Sequence, residues 1–343
     1  MPMKCEVRRA GIVGVGTYVP ERVLTNFELQ KNLDTSDEWI RSRSGIRERR
    51  VSAEDEATSD LALKASRKAL DDAGVSPDEL DLIIIATNTP DMLFPASACL
   101  LQDGLGAKNA GAFDLLAGCT GFIYGAAVAA QFIAAGTART VLVAGSETLT
   151  KVLNWKDRNT CVLFGDGAGA VVMKSVPEDR GILSVVLGSD GSGGKFLKMP
   201  AGGSRMPANA NTVAEELHCL QMNGREVYKF AVRAMEEGSS EVLRRAGLTV
   251  NDVDFLVPHQ ANIRIIEHAA KKMNLPMERV AVNVDRYGNT STASVPLALE
   301  ESLRAGKIKD GDNVIMVGFG AGLTWAGLLI KWYGSSGDHK AVS

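Results

Sequence analysis

One of the five cysteines, Cys119, stands where a nucleophile is expected. An apolar stretch from Phe113 leads into the turn Ala117-Gly118-Cys119, and a helix of small residues is predicted over 125–135. That helix has almost no charged face, which indicates that it is buried. The turn places the thiol at the helix N-terminus, where free N–H groups and the helix dipole favour the thiolate. The alternative is a cysteine that only packs, which is the usual role of a free cysteine.

Histidine is a common partner of a nucleophilic cysteine, and the sequence has four of them. His259 follows a predicted buried strand over 255–257 directly. Open α/β sheets bind their ligands at the carboxyl ends of strands, so this position favours a functional role. His218, His268 and His339 lie in a loop-like stretch, a charged helix and a polar tail. The alternative for His259 is a residue that only caps the next helix.

Two further segments offer groups that bind a substrate without titrating. Asn289 follows a predicted strand over 280–284, and its amide can donate hydrogen bonds. Its alternative is a polar loop that supplies helix caps. The glycine-rich turn over 318–324 follows another predicted strand, and such turns let backbone N–H groups approach a substrate as an oxyanion hole requires.

An internal repeat predicts the elements that position these groups. Residues 73–85 are echoed by 246–257, and residues 141–145 by 314–318, both at an offset of 173. Each copy combines a helical pattern that ends near a glycine with an apolar run typical of a buried strand. We therefore predict an α/β protein of two duplicated halves with buried sheets, 1–174 carrying the cysteine and 175–343 carrying the histidine and asparagine.

The composition excludes several classes of protein. The 343 residues carry a net charge of −3 and a mean hydropathy near zero, so nucleic acid and membrane surfaces are not expected partners. No stretch approaches the roughly 18 apolar residues of a membrane helix, and the N-terminus does not resemble a signal peptide, so we expect a cytoplasmic protein. The cysteines form no CxxC pair, which argues against a disulfide framework and a structural zinc site. We expect four of them to pack in the core: Cys5, Cys99, Cys161 and Cys219.

The three motifs together resemble a known family. Cys119 stands in Ala-Gly-Cys-Thr-Gly-Phe, His259 in His-Gln-Ala-Asn and Asn289 in Gly-Asn-Thr-Ser-Thr-Ala-Ser. From about residue 8 to about residue 333 the sequence resembles β-ketoacyl-acyl-carrier-protein synthase III, the initiating condensing enzyme of dissociated fatty-acid synthesis. The resemblance implies the thiolase fold, a layered α/β fold whose two similar halves agree with the repeat. Elongating relatives resemble this plan but use a second histidine where this chain has Asn289.

The resemblance also implies a reaction in two stages. The Cys119 thiolate takes the acyl group of an acyl-CoA, and the backbone N–H groups of Cys119 and Ala321 stabilise the oxyanion. Malonyl-acyl-carrier protein then enters, and His259 Nε2 and the Asn289 amide stabilise the enolate formed by loss of CO₂. No metal and no cofactor are implied, because acyl-CoA is a substrate.

Binding roles follow from the same resemblance. The CoA-binding residues it implies are Thr35, Trp39, Arg43, Arg158, Gly224 and Asn262. Phe319 would line the acyl pocket, and Phe94 would reach into the pocket of a partner subunit, which implies a homodimer. For the acidic carrier protein the expected docking residues are Lys229, Arg264, Lys271 and Lys272. Each group has a plainer alternative: a core tryptophan with solvated arginines, and a solvated charged helix face.

Three other functions fit part of the pattern. Papain-like cysteine hydrolases share the chain order Cys, His, Asn, but not the duplicated α/β halves. A condensing enzyme or acyltransferase of a secondary pathway would use the same Cys-His-Asn site on another acceptor. A non-catalytic scaffold would not need these three residues together.

Overall fold

The computed structural model describes residues 8–334, so Cys5 and His339 lie outside the described range. Within residues 8–334 the strands are β1 (Arg9–Tyr18), β2 (Arg22–Thr25), β3 (Glu48–Val51), β4 (Leu82–Ala86), β5 (Gly111–Leu115), β6 (Thr140–Glu147), β7 (Gly167–Val176), β8 (Gly181–Ser189), β9 (Leu197–Lys198), β10 (Gln221–Met222), β11 (Phe255–Pro258), β12 (Asn313–Gly320) and β13 (Thr324–Lys331). The α-helices of the same range are α1 (Asn26–Leu29), α2 (Asp37–Ser44), α3 (Thr58–Ala73), α4 (Ser97–Leu105), α5 (Gly121–Ala134), α6 (Ala210–Ala214), α7 (Gly224–Ala246), α8 (Ile263–Lys272), α9 (Val284–Tyr287) and α10 (Ser294–Arg304).

Two mixed sheets form the core of the protein. The first has the strand order β1-β7-β6-β4-β5 and the second the order β8-β13-β12-β11. In the first sheet β4 pairs in parallel with β5 and β6, and in the second β11 pairs in parallel with β12. The remaining pairs in both sheets are antiparallel. The strands β4, β6 and β11 are buried along their whole length, which is why their sequences are continuous apolar runs.

The backbone repeats residue for residue at the predicted offset. Leu82 pairs with Val141 in the first sheet, and Phe255 pairs with Val314 in the second, each partner displaced by 173 residues. The helices α5 and α10 begin at Gly121 and Ser294, again 173 residues apart. The predicted duplication is therefore present in the pairing register as well as in the sequence.

The elements stack in five layers. Helices α5 and α10 contact strands of both sheets and form the middle layer, while α3 and α4 cover the outer face of the first sheet. Helix α7 covers the outer face of the second sheet, and α8 packs against α7 and α2. The prediction that the helix after Cys119 is buried is confirmed, because α5 lies between two sheets. Its sequence is rich in glycine and alanine because there is little space at that position.

Two expectations about chain segments need correction. Residues 280–284 do not form a strand: Val280 makes one isolated bridge to Leu256, and α9 begins at Val284. The buried side chain of Gln260 explains this, since its Oε1 accepts hydrogen bonds from the backbone N–H groups of Asn283 (2.9 Å) and Val284 (3.2 Å). These donors are then not free to continue a ladder.

The second correction concerns the burial of the cysteines that were expected to pack in the core. Cys161 is buried as expected, but Cys219 is only half-buried and Cys99 is exposed. The predicted division of the halves at residue 174 stays a prediction; β7 continues to Val176 and β8 begins at Gly181, so the connection between the two sheets lies just beyond it.

Candidate active site

A cavity of about 640 Å³ opens where the two halves meet, and Cys119, His259 and Asn289 all line it. Cys119 lies in the turn after β5, His259 directly after β11 and Asn289 in the loop before α10. These side chains belong to both halves of the chain. The structure therefore brings together the three residues that sequence reasoning selected.

Cys119 is a thiol at rest. It lies just before α5, as predicted, but only 9% of its surface is exposed, and burial raises the pKa of the Cys119 thiol to about 12. The negative charge of Glu147 also raises this pKa, while a hydrogen bond from Ser291 lowers it. The backbone N–H contact at the start of the helix lowers this pKa, in the direction expected, but the cost of burying a charge is larger and the net shift is upward.

The cysteine turn fits tightly against the glycine-rich turn of the other half. A Cβ atom on Gly320 would lie 2.3 Å from the Cys119 backbone N, and one on Gly118 would lie 2.6 Å from the Ala321 N. Gly118 also has a φ of +59°, a conformation that favours glycine. The Thr324 hydroxyl contacts the Ala117 carbonyl at 2.9 Å and joins the two turns. Backbone N–H groups of both halves thus lie beside the thiol.

His259 presents one free ring nitrogen to the cavity. The ring is fully buried, its Nδ1 lies 2.6 Å from Ser294 Oγ, and Nε2 has no hydrogen-bond partner among residues 8–334. Burial lowers the pKa of His259 to about 3, so the imidazole is neutral. Ser294 Oγ also lies 2.8 Å from the Ser291 carbonyl, and both contacts are satisfied when His259 Nδ1–H donates to Ser294. Rotation of the Ser294 hydroxyl toward Nδ1 gives the other tautomer, in which Nε2–H is a donor.

The Asn289 amide has a fixed orientation. Its Oδ1 accepts a hydrogen bond from the Ser291 backbone N–H at 2.9 Å. Since a backbone N–H only donates, the accepting atom must be the oxygen, and Nδ2 remains as the donor. The Asn289 backbone is held in turn by Leu163 and Gly165, at 2.8 Å and 3.1 Å. Asn289 therefore offers a fixed neutral donor to the cavity.

The outer part of the cavity is cationic and aromatic. The guanidinium carbons of Arg43 and Arg158 lie 4.6 Å and 5.4 Å from the Trp39 ring centroid. Arg158 also pairs with Asp34 at 2.8 Å. Asn262 caps α8 through the Arg264 N–H and donates from Nδ2 to the Arg43 carbonyl at 2.9 Å. Among the predicted CoA-binding residues, those that line the cavity are Trp39, Arg43, Arg158, Gly224 and Asn262.

A second pocket of about 320 Å³ adjoins Cys119. Its lining is largely apolar and includes Leu116, Leu149, Val152, Met199 and Leu220. Ala321 and Ser291 line this second pocket as well, whereas Phe319 lines the larger cavity, where its ring centroid lies 5.2 Å from that of His259.

Some predicted residues lie outside both spaces. Thr35 lines neither of them, and Phe94 is 84% exposed and also lines neither. The four predicted docking cations are exposed: Lys229, Arg264, Lys271 and Lys272. Lys229 pairs with Glu226 at 2.8 Å, and Lys272 with Glu236 at 3.4 Å.

Sequence reasoning missed several polar residues around the three central ones. Glu147 ends β6 and is fully buried, and Asn88 follows β4. Ser291 and Ser294 contact Asn289 and His259 as described. For Glu147 and Asn88 the signal in the sequence is a polar residue at or just after the carboxyl end of an apolar run, the same signal that selected His259, whereas Ser291 and Ser294 stand in the Asn289 motif itself.

Two other kinds of site are absent from residues 8–334. In the part of the chain that the structure describes, no group of three or more His, Cys, Asp or Glu side chains is placed to hold a metal ion. No helix of residues 8–334 is long and apolar enough to span a membrane.

The five-layered architecture with two duplicated halves is the thiolase fold, and the chain is an enzyme of the condensing acyltransferase class. Residues 113–191 match the family model for 3-oxoacyl-[acyl-carrier-protein] synthase III, and residues 243–332 match the model for its C-terminal part. The chain belongs to the β-ketoacyl-[acyl-carrier-protein] synthase III family. The first matched segment contains Cys119, and the second contains His259 and Asn289.

Individual relatives support this membership. The protein named β-ketoacyl-[acyl-carrier-protein] synthase III of Caldanaerobacter subterraneus is 59% identical over 96% of this chain and 99% of its own length. The crystal structure of the synthase III of Thermus thermophilus is 52% identical, covers 95% of this chain and 100% of its own, and gives a TM-score of 0.88. A priming β-ketosynthase from the R1128 polyketide pathway is 39% identical, covers 96% and 98% of the two chains, and also gives 0.88.

Proposed function

We propose that this chain condenses an acyl group from acyl-CoA with the malonyl unit of malonyl-acyl-carrier protein, releasing CO₂ and β-ketoacyl-acyl-carrier protein. This is the initiating condensation of fatty-acid synthesis. The observation that carries the proposal is the cavity in which a buried thiol, an unpartnered imidazole nitrogen and a fixed amide donor meet. The alternative of a secondary pathway is not favoured, because identity to synthase III proteins reaches 59% against 39% for the polyketide ketosynthase.

In the first stage Cys119 Sγ attacks the acyl-CoA carbonyl carbon. The oxyanion accepts hydrogen bonds from the backbone N–H groups of Cys119 and Ala321, whose turns lie against each other. Collapse of this intermediate breaks the bond to the CoA sulfur and leaves the acyl group as a thioester on Cys119. The apolar pocket beside Cys119 suits the acyl chain, with Leu116 and Leu149 in its wall.

In the second stage malonyl-acyl-carrier protein occupies the larger cavity. Asn289 Nδ2 and the Nε2–H tautomer of His259 donate to the thioester carbonyl of the malonyl unit, so the enolate formed by loss of CO₂ is stabilised. The enolate carbon attacks the acyl thioester and releases the Cys119 sulfur. The reaction as proposed uses no metal and no cofactor, because hydrogen bonds hold the enolate charge and decarboxylation drives bond formation.

The outer cavity suits CoA. Trp39 offers a ring for the adenine, and Arg43 and Arg158 supply positive charge for the phosphates. Gly224 and Asn262 line the path to Cys119. Thr35 keeps its predicted role as a contact for the pantetheine arm, although it lies outside the cavity lining.

For the carrier protein we propose docking on the exposed cations beside the cavity mouth. Arg264 donates to the Ser42 carbonyl at 2.6 Å, so its guanidinium is held near the end of α2, while Lys271 extends from α8. Arg264→Glu weakens the carrier-protein step and spares acyl-CoA loading in this proposal; an equal loss in both steps contradicts it. The cytoplasm as the place of reaction stays a prediction.

A homodimer is the remaining proposal about partners. Leu93 and Phe94 are 79% and 84% exposed, and Met92 beside them is 47% exposed, which is unusual for neighbouring large apolar side chains. Sedimentation of the protein and of Phe94→Ser tests this, with dissociation of the variant expected.

The decisive experiment mixes the protein with acetyl-CoA and malonyl-acyl-carrier protein and identifies the product by mass spectrometry. We expect β-ketoacyl-acyl-carrier protein, no product from Cys119→Ala, and acylated but non-condensing protein from Asn289→Ala. Release of free acid without a condensed product would overturn the proposal in favour of a hydrolase.

A further inference from the structure

The fully buried carboxyl group of Glu147 is not used in the reaction as proposed so far. It ends β6 behind Cys119 and accepts hydrogen bonds from Asn88 Nδ2 (2.6 Å), the Asn88 backbone N–H (3.1 Å) and Thr89 Oγ1 (2.7 Å). Thr292 Oγ1 and Thr87 Oγ1 donate as well, at 3.1 Å and 3.4 Å. The two Asn88 N–H groups can only donate and the three threonine hydroxyls are able to, so the network suits the carboxylate form, with a negative charge inside the protein.

Ser291 stands between this carboxylate and the nucleophile. Its hydroxyl accepts a hydrogen bond from Asn88 Nδ2 at 3.1 Å, and the same Nδ2 donates to Glu147 at 2.6 Å, so Ser291 Oγ and the carboxylate share one donor. Ser291 and Cys119 both line the second pocket, and the Ser291 hydroxyl lowers the pKa of Cys119 and that of Glu147. A hydroxyl has one hydrogen and two lone pairs, so besides its contact with Asn88 it has the capacity to donate to Glu147 and to accept from the Cys119 S–H. Ser291 has a φ of +49°, rare for a residue with a side chain, so the loop directs this hydroxyl at some conformational cost.

Charge decides which group takes the thiol proton. If the Cys119 proton went to solvent, two buried anions would lie side by side, because Glu147 is already charged. His259 is a poor acceptor, since burial lowers its pKa to about 3. Burial instead raises the pKa of Glu147, which makes it the stronger base of the two. Transfer to Glu147 avoids placing two buried anions next to each other.

We propose that Glu147 receives the Cys119 proton through the Ser291 hydroxyl and stores it during the reaction. The Cys119 S–H bond breaks as its proton passes to Ser291 Oγ, while the Ser291 proton passes to the carboxylate. The thiolate forms the acyl thioester, and CoA leaves as a thiolate that takes its proton from solvent. When the enolate displaces the Cys119 sulfur, the stored proton returns to it and Glu147 is a carboxylate again. The later steps of this cycle rest on the proposed condensation.

Alkylation of Cys119 tests the first transfer without any substrate. The rate with iodoacetamide is followed by peptide mass spectrometry between pH 6 and 10 in the protein, in Glu147→Gln and in Ser291→Gly. Ser291→Gly keeps the backbone contacts to Asn289 and Ser294, suits the positive φ and removes only the hydroxymethyl side chain. Both variants are expected to be alkylated at least about tenfold more slowly at pH 7, and the double variant no more slowly than either single one.

Two outcomes of the alkylation experiment would overturn the relay. If Glu147 acts only as a charge, its removal lowers the thiol pKa, so Glu147→Gln is alkylated faster at pH 7 and the proposal is overturned. If Glu147→Gln does not fold, Ser291→Gly decides alone, and an unchanged alkylation rate there overturns the relay.

Matched controls separate the relay from a general effect of losing buried polar groups. Asp166 is a second buried carboxylate, bound by Ser52 and Thr150 and outside both cavities. Ser302 is a buried serine of α10 whose hydroxyl bonds the Ala298 carbonyl at 2.7 Å. Asp166→Asn and Ser302→Ala are expected to keep the Cys119 alkylation rate within about twofold. Slowing in the controls to the same degree as in the relay variants contradicts the inference.

A single-turnover measurement of acyl-enzyme formation from acetyl-CoA then extends the test to the reaction. The relay variants should slow this step about as much as alkylation, while condensation from enzyme already acylated proceeds. Failure of the proposed function shows itself separately, because the unaltered protein would then give no condensed product whatever the alkylation rates are.

Discussion

His259 Nδ1 lies 2.6 Å from Ser294 Oγ, so the ring that faces the cavity is oriented by the first residue of α10. Ser294 begins α10 at the position where Gly121 begins α5 in the other half. Gly121 and Ser294 thus occupy the same position of the repeat. Gly121 follows the nucleophile in the first half, and Ser294 orients His259 in the second half.

Ser294→Ala should slow the malonyl step and spare acylation. The change removes the hydrogen bond that fixes the imidazole and its tautomer, a loss of about 1–3 kcal/mol, which corresponds to about 5- to 160-fold in rate. Decarboxylation of malonyl-acyl-carrier protein and acylation of Cys119 are measured separately. Ser302→Ala, on the same helix but away from the cavity, is the control, and an equal fall in acylation would argue against this role.

Trp39→Ala should raise the KM for acyl-CoA and leave kcat nearly unchanged. Stacking between a base and an aromatic ring contributes about 1–3 kcal/mol, so an increase of about 5- to 160-fold is expected. Steady-state kinetics with acetyl-CoA measures it, and Trp155→Ala, at an exposed tryptophan outside the cavity, is the control. A fall in kcat at constant KM would mean that Trp39 supports the structure and not the binding of CoA.

Acid should destabilise the protein partly through His259. Its pKa is about 3 in the folded protein against the ordinary histidine value of 6.5, so between pH 6.5 and 3 the unfolded chain binds a proton that the folded protein does not. The free energy of unfolding therefore falls as the pH falls through this range, by up to about 1.4 kcal/mol per pH unit from this group. Urea unfolding of the protein and of His259→Gln measures it; the variant should show the shallower slope, and parallel slopes would contradict the assignment.

Gly320→Ala should disrupt the contact between the two turns. The new Cβ would lie 2.3 Å from the Cys119 N, so the backbone must move, at a cost of about 1–3 kcal/mol in stability. The temperature of thermal unfolding and the rate of acyl-enzyme formation are both expected to fall. Gly203→Ala is the control because no atom lies within 4 Å of its Cβ position. If Gly320→Ala lowered stability and acylation no more than Gly203→Ala, the close fit would not contribute to either.

Patterns that depend on the backbone were predicted well from the sequence. Apolar runs, capping glycines and the repeat predicted the buried strands of both halves, and Gly74 and Gly247 do cap α3 and α7 with φ of 61° and 69°. The carboxyl ends of these strands led to His259. The Asn289 motif was found although the strand predicted before it reduces to one bridge, because its signal lies in the residues of the loop itself.

Features that depend on packing were not predictable in the same way. The thiolate was expected from helix geometry, but the protonation of Cys119 follows from how completely two halves bury it. Ser291 and Glu147 are far apart in sequence and meet only because the loop before α10 packs on the end of β6. The exposed Cys99 shows the same limit, since the sequence does not reveal which face of α4 is covered.

The fit of Gly118 against Ala321 also bears on how activity arises during protein synthesis. The ribosome completes the nucleophile and its helix long before it reaches β12 and the turn that follows. Until that turn is in place, the thiol lacks both its second oxyanion donor and the side chains of His259 and Asn289. A nascent chain therefore carries Cys119 in a form without catalytic competence, which it gains only when the turn after β12 has docked against Gly118.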